Sequence, residues 1–150
     1  MKPLIVLLIV FAVSAFAIKL LAHRYDFSLS ARIAMCTMLL FTAIGHFAFT
    51  KGMAMMMPEF IPFKIELVYL TGFLEIILGI ALLFPSTKVY SGWILIVFFV
   101  VVLPANIKAA TEQIDFQNAA FGGPGLNYLW FRIPLQIFLI AWTYISSIRF

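Results

Sequence analysis

The chain has 150 residues, 65% hydrophobic and only 11% charged, against roughly 45–50% apolar and 25% charged residues in soluble domains. So few charges cannot cover a water-facing surface, which excludes a soluble globular domain and makes lipid the solvent for most side chains. The net charge of +4 comes from cations scattered singly between apolar runs, which excludes a nucleic-acid surface and fits anchors at a membrane interface.

Five apolar runs follow one another. The first, residues 3–18, is interrupted by Lys19 and resumes through Leu20, Leu21 and Ala22. With Lys2 ahead of it and Ala15-Phe16-Ala17 inside it, this run has the form of a signal peptide with a small-x-small cleavage site. Its continuation past that site favours a retained anchor helix. Residues 33–50 carry no charge between Arg32 and Lys51, and residues 67–87 are apolar apart from Glu75. Residues 89–107 are uncharged between Lys88 and Lys108, and residues 128–148 hold only Arg132 before Arg149. A helix rising about 1.5 Å per residue needs about 20 residues to cross the hydrocarbon core. The last four runs meet that length, and their continuity, without period-two alternation, predicts helices rather than barrel strands. The expected fold is all-α. Residues 32–150 form a transmembrane four-helix bundle, and residues 1–31 supply an additional N-terminal transmembrane helix, or signal anchor, with its link.

Pro85-Ser86-Thr87 makes the third and fourth spans a tight antiparallel pair. The two long links, residues 51–66 and 109–127, are separated by two spans and so fall on one side of the membrane. The methionines from Met53 to Met57 read as an interfacial lid or packing element rather than a copper site, since no second soft-ligand cluster accompanies them. Lys19, Arg24 and Arg32 make the first link the densest cationic stretch, which predicts that it is cytoplasmic. Trp93 with Tyr90, and Tyr128 with Trp130, fit aromatic belts at opposite faces.

The informative residues are those that a bilayer excludes. Glu75 lies near the middle of its run, with Gly72 and Gly79 on the same helical face. A charge at that depth costs about 2.5–3.5 kcal/mol on insertion scales. Glycines on one face let another helix approach, so this face should point into the bundle. Thr42 and His46 lie one turn apart on the second run, as do Arg132 and Gln136 on the fifth, and Asn106 follows Pro104 on the fourth. Alternating topology places His46, Glu75, Asn106, Arg132 and Gln136 in one half of the bilayer. A Glu75–Arg132 ion pair, completed by Gln136 and His46, is the expected arrangement. Two readings of this set stand side by side: a network that only fixes helix register, or a polar pocket for a small molecule, a quinone headgroup or a proton. Cys36 is the only cysteine, so an intrachain disulfide and a CxxC redox pair are excluded. No haem ligand pair, flavin fingerprint, phosphate-binding loop or nucleophile elbow is present, so no catalytic set can be named.

Several stretches together resemble the DoxX-like family of small integral membrane proteins. They are Gly45-His46-Phe47, Pro58 and Pro62, Thr71-Gly72-Phe73-Leu74-Glu75-Ile76, Leu82-Leu83-Phe84-Pro85, Pro104-Ala105-Asn106-Ile107 and Arg132-Ile133-Pro134-Leu135-Gln136. Their order and spacing cover about residues 32–148. The resemblance implies a four-helix membrane bundle in a bacterial inner membrane, acting as a subunit or accessory of a quinone-linked redox system. It implies a quinone as the ligand, no covalently held cofactor, and a membrane redox complex or a second copy as partner within the lipid bilayer. Family members that use paired cysteines are not matched, because Cys36 stands alone. The alternatives are a non-catalytic assembly factor or chaperone for membrane proteins, and a small transporter. The transporter is disfavoured by the absence of inverted repeats and broken-helix pairs.

Overall fold

A computed structural model describes residues 2–115, 118–123 and 125–149, without the side chain of Tyr128. The chain is a membrane protein, and its described residues form seven α-helices and one π-helical turn: α1 (Lys2–Ala22), α2 (Phe27–Ala48), α3 (Thr50–Met56), α4 (Lys64–Ala81), α5 (Lys88–Val101), α6 (Leu103–Thr111) and α7 (Asn127–Thr143), which runs into the π turn Tyr144–Arg149. Four helical stretches are long and apolar enough to cross a membrane: Lys2–Ala22, Phe27–Ala48, Lys88–Thr111 and Leu129–Arg149. The bundle is thus all-α and transmembrane, with α1 added to the four-helix core. Helix α4 has 18 residues and carries Lys64, Glu66 and Glu75. It runs antiparallel along α2, from His46 beside Val68 to Arg32 beside Leu82, and so bridges the same two ends of the bundle.

Local chemistry sets the boundaries. Asp26 caps α2, its carboxylate accepting the Leu29 N–H at 2.9 Å while its carbonyl accepts the Ser30 hydroxyl at 2.8 Å. The fourth run breaks at Val102, which ends α5 and starts α6, because Pro104 lacks the N–H that a continuous helix needs. Pro134, by contrast, is accommodated inside α7. Within the 51–66 link, residues expected to be irregular contribute a short helix, α3, whose Gly52 and Ala54 are buried. Within the other long link, Ile114–Asp115 and Ala120–Phe121 pair as a minimal antiparallel hairpin that apolar periodicity did not announce.

Small residues set how closely the helices pack. A Cβ added at Gly72 would lie 2.9 Å from the Cβ of His46 and 3.3 Å from the Phe47 ring. Gly79 sits against Cys36 and Leu39, and Gly92 brings α5 to within 3.1 Å of the Ser147 Cβ in the same sense. Between these contacts lies one apolar core, built from Leu39 on α2, Leu78 on α4 and Leu82 just beyond its end, Leu95 and Phe99 on α5, and Leu139 on α7.

The hydrogen bonds also fix which ends coincide. Ser28 donates to the Ser146 carbonyl, Trp142 to the Ala31 carbonyl and Arg32 to the Leu82 carbonyl, all at the end of the α1–α2 link. Lys108 donates to the Met57 carbonyl at 2.6 Å, joining the two long links at the other end. The charges divide unequally between these ends. Lys19, Arg24, Arg32, Lys88 and Arg149 face a single acid, Asp26, at the first. At the second, Lys2, Lys51, Lys64 and Lys108 are balanced by Glu59, Glu66, Glu112 and Asp115. Glu75 and Arg132 cancel within the span, so the whole net charge of +4 resides at the α1–α2 end. Trp93 and Trp130 are exposed at opposite ends. The belt expected at Tyr128 lies outside the described residues, as does Pro124 of the glycine-rich link.

Candidate functional site

The deepest ionisable group is held between α2 and α4. Glu75 is 6% exposed, and its Oε2 lies 3.4 Å from His46 Nε2 and 3.1 Å from the Thr42 hydroxyl. Thr42 and His46 share a helical face, and Gly72 lets the imidazole pass close against α4. His46 Nδ1 lies 3.1 Å from the Val68 carbonyl and 3.0 Å from the Thr71 hydroxyl. The remaining nitrogen, Nε2, faces the Glu75 carboxyl group, so the imidazole ties α2 to α4 through both of its nitrogens. Thr71, whose hydroxyl also donates to the Leu67 or Val68 carbonyl, belongs to this site and escaped sequence reasoning. Its signal was its place four residues before Glu75.

The other expected residues lie on α6 and α7, Asn106 on the first and Arg132 and Gln136 on the second. Gln136, 2% exposed, donates through Nε2 to the Phe99 carbonyl at 2.5 Å. Its Oε1 is buried without a partner. Asn106, 4% exposed, has a buried Nδ2 without a partner, and so does the Nε of the partly buried Arg132. A buried donor or acceptor without a partner costs about 1–3 kcal/mol, so each of these atoms is a costly feature of the span.

The expected Glu75–Arg132 ion pair is not formed. Glu75 takes His46 and Thr42 instead, because the glycine face of α4 is pressed against α2 and not against α7. Among the described residues no hydrogen bond or ion pair joins Glu75 or His46 to Asn106, Arg132 or Gln136, so the five expected residues do not form one network. They do lie at similar depth. Counting from the Ala31–Trp142 hydrogen bond, about ten residues along each antiparallel helix, brings Thr42 level with Arg132.

A third polar group is unexpected. Arg32, assigned from sequence to the cytoplasmic link, is buried within α2 and donates to the Leu82 carbonyl at 3.1 Å, with its Nε unpartnered. It sits at the last carbonyls of α4, where the helix dipole favours a cation. Cys36 is a free, buried thiol. Among the described residues no cluster of three His, Cys, Asp or Glu side chains could hold a metal ion.

A family model described as "Domain of unknown function (DUF8561)" matches residues 35–147, which spans α2 to α7 and leaves α1 outside. No curated protein and no solved structure matches the chain.

Proposed function

The chain belongs to the DUF8561 family, whose description names no activity, and we propose from the chemistry of its site that it is a DoxX-like accessory subunit of a quinone-linked redox system in the bacterial inner membrane. The observation that carries this reading is the pair of buried donors without partners, Asn106 Nδ2 and Arg132 Nε, in the same half of the span as the buried His46–Glu75 pair. A quinone headgroup presents carbonyl oxygens that only accept, and its reduced form presents hydroxyls that donate. Asn106 and Arg132 supply donors for the first, and Gln136 Oε1 supplies an acceptor for the second. When bound, the quinone supplies the redox chemistry; the side chains of this protein bind and orient its headgroup.

The test is titration of the purified protein with a short-tailed quinone. Binding is expected, weakened about tenfold or more in Asn106→Ala or Arg132→Met, the equivalent of roughly 1.4 kcal/mol for one lost hydrogen bond to a buried group. Absence of binding by the wild-type protein overturns the reading. One observation favours a second reading, a non-catalytic assembly factor for membrane complexes: both ring nitrogens of His46 are already engaged inside the protein. That reading expects deletion of the gene to lower the abundance of one membrane complex, while the isolated protein binds no quinone.

A further inference from the structure

Apart from these polar residues, a groove of about 490 Å³ opens at the α1–α2 end of the bundle, between α1, α2 and the π turn. That volume lies within the range of roughly 300–1,000 Å³ typical of small-molecule sites. Phe11, Phe27, Ala31, Trp142 and Ile145 form its apolar walls. Its two hydroxyls are spent inside the protein: Ser28 donates to the Ser146 carbonyl at 2.8 Å, and Ser146 donates to the Trp142 carbonyl at 2.7 Å. The Trp142 indole N–H is likewise committed to the Ala31 carbonyl. Water would find no partner here, whereas the Asn106 and Arg132 region leaves donors free. The groove is shaped for hydrocarbon. Its outline depends on the π turn, which shifts Ile145 and Ser146 away from α-helical register.

The mouth of the groove is cationic. Lys19 Nζ sits 4.8 Å over the Tyr25 ring, Tyr25 stacks on Phe27 at 5.2 Å, and Phe11 links Phe27 to Trp142. This ladder runs from an exposed ammonium group to the apolar walls. Arg24 is exposed beside it, and the one acid of this end, Asp26, is occupied in capping α2. All of the net charge of +4 lies at this end. We propose that the groove binds one anionic phospholipid of the surrounding bilayer, an acyl chain lying along Phe11, Ala31 and Trp142 and the phosphate meeting Lys19 and Arg24. The site is independent of the quinone reading and stands or falls apart from it.

The test uses the full chain with Trp93→Phe and Trp130→Phe, so that Trp142 is the sole indole. The protein is reconstituted in phosphatidylcholine vesicles containing equal mole fractions of either chain-brominated phosphatidylglycerol or chain-brominated phosphatidylcholine. Bromine quenches an indole that it touches. Phosphatidylglycerol is expected to quench Trp142 at lower mole fraction, and each of Lys19→Gln and Arg24→Gln to reduce that preference about fivefold. Ala31→Leu, which fills the groove, is expected to reduce quenching by both lipids. Should it fail to fold, the two surface variants still decide the headgroup preference. Equal quenching by the two brominated lipids overturns the proposal, because the groove is then merely solvated by any chain. Absence of quenching by either also overturns it, because a second copy or a partner helix then covers the groove.

Discussion

His46 is engaged at both ring nitrogens, Nδ1 meeting Val68 and Thr71 and Nε2 meeting Glu75, so the imidazole and the carboxyl group form one buried unit. Groups in contact within one buried network do not contribute independently to stability. His46→Ala and Glu75→Gln should each lower the melting temperature in detergent, and the double variant should fall short of their sum by a coupling of roughly 0.5–3 kcal/mol. Strict additivity would show that the two side chains do not touch. The acid and the histidine were both legible as membrane-depth polar groups, because hydrocarbon penalises either wherever it points. Their mutual contact was not legible, because the charge of Arg132 made it the more obvious partner for a carboxylate.

At the scale of elements, the α2–α4 pair is set by Gly72 and Gly79. With no Cβ at Gly72 the imidazole side of α2 comes within van der Waals contact of the α4 backbone, and the same glycine face that buries Glu75 delivers it to Thr42. Gly72→Ala places a methyl group 2.9 Å from the His46 Cβ. The helices must part, at a cost of about 1–3 kcal/mol, read as a lower melting temperature in detergent. An unchanged melting temperature would mean that the two helices separate freely. The sequence marked these glycines as a contact face but did not say which helix they would contact. Arg32 was misplaced for a related reason. A cation at the edge of an apolar run reads as a surface anchor, and only the chain reversal after Ala81 puts the final carbonyls of α4 within its reach.

For the whole molecule, the division of charge has a consequence for orientation. By Lys and Arg, which set orientation, the α1–α2 end leads only five to four over the whole chain, and the bias comes from Lys19, Arg24 and Arg32 lying close together around the first link. Positively charged short links stay on the cytoplasmic side during insertion. In a Cys36→Ser background, Arg24→Cys is expected to react with a membrane-impermeant maleimide only after the cells are permeabilised, and Glu112→Cys to react in intact cells. The reverse labelling pattern would invert the assigned topology. The family model matches residues 35–147, from within α2 to the π turn. Yet α1 forms one wall of the groove through Phe11 and donates Ser14 to the Ser30 carbonyl, so this added helix gives the bundle a cavity that the core by itself would leave open.

What the sequence determined by itself was the solvent, the helical class and the position along its span of each polar side chain except Arg32. All three follow from one-dimensional facts: the length of each apolar run, the rise per residue and the alternation of ends. What only the tertiary structure decided was partnership. Whether Glu75 meets His46 or Arg132, whether Arg32 lies in lipid headgroups or against Leu82, and whether Asn106 and Gln136 are satisfied all depend on how each helix is rotated about its own axis and which neighbour it packs on. Those rotations are set by close contacts between residues far apart in the chain, such as Gly72 on His46 and Gly92 on Ser147. No local pattern encodes such contacts, because their energy exists only once both helices are in place.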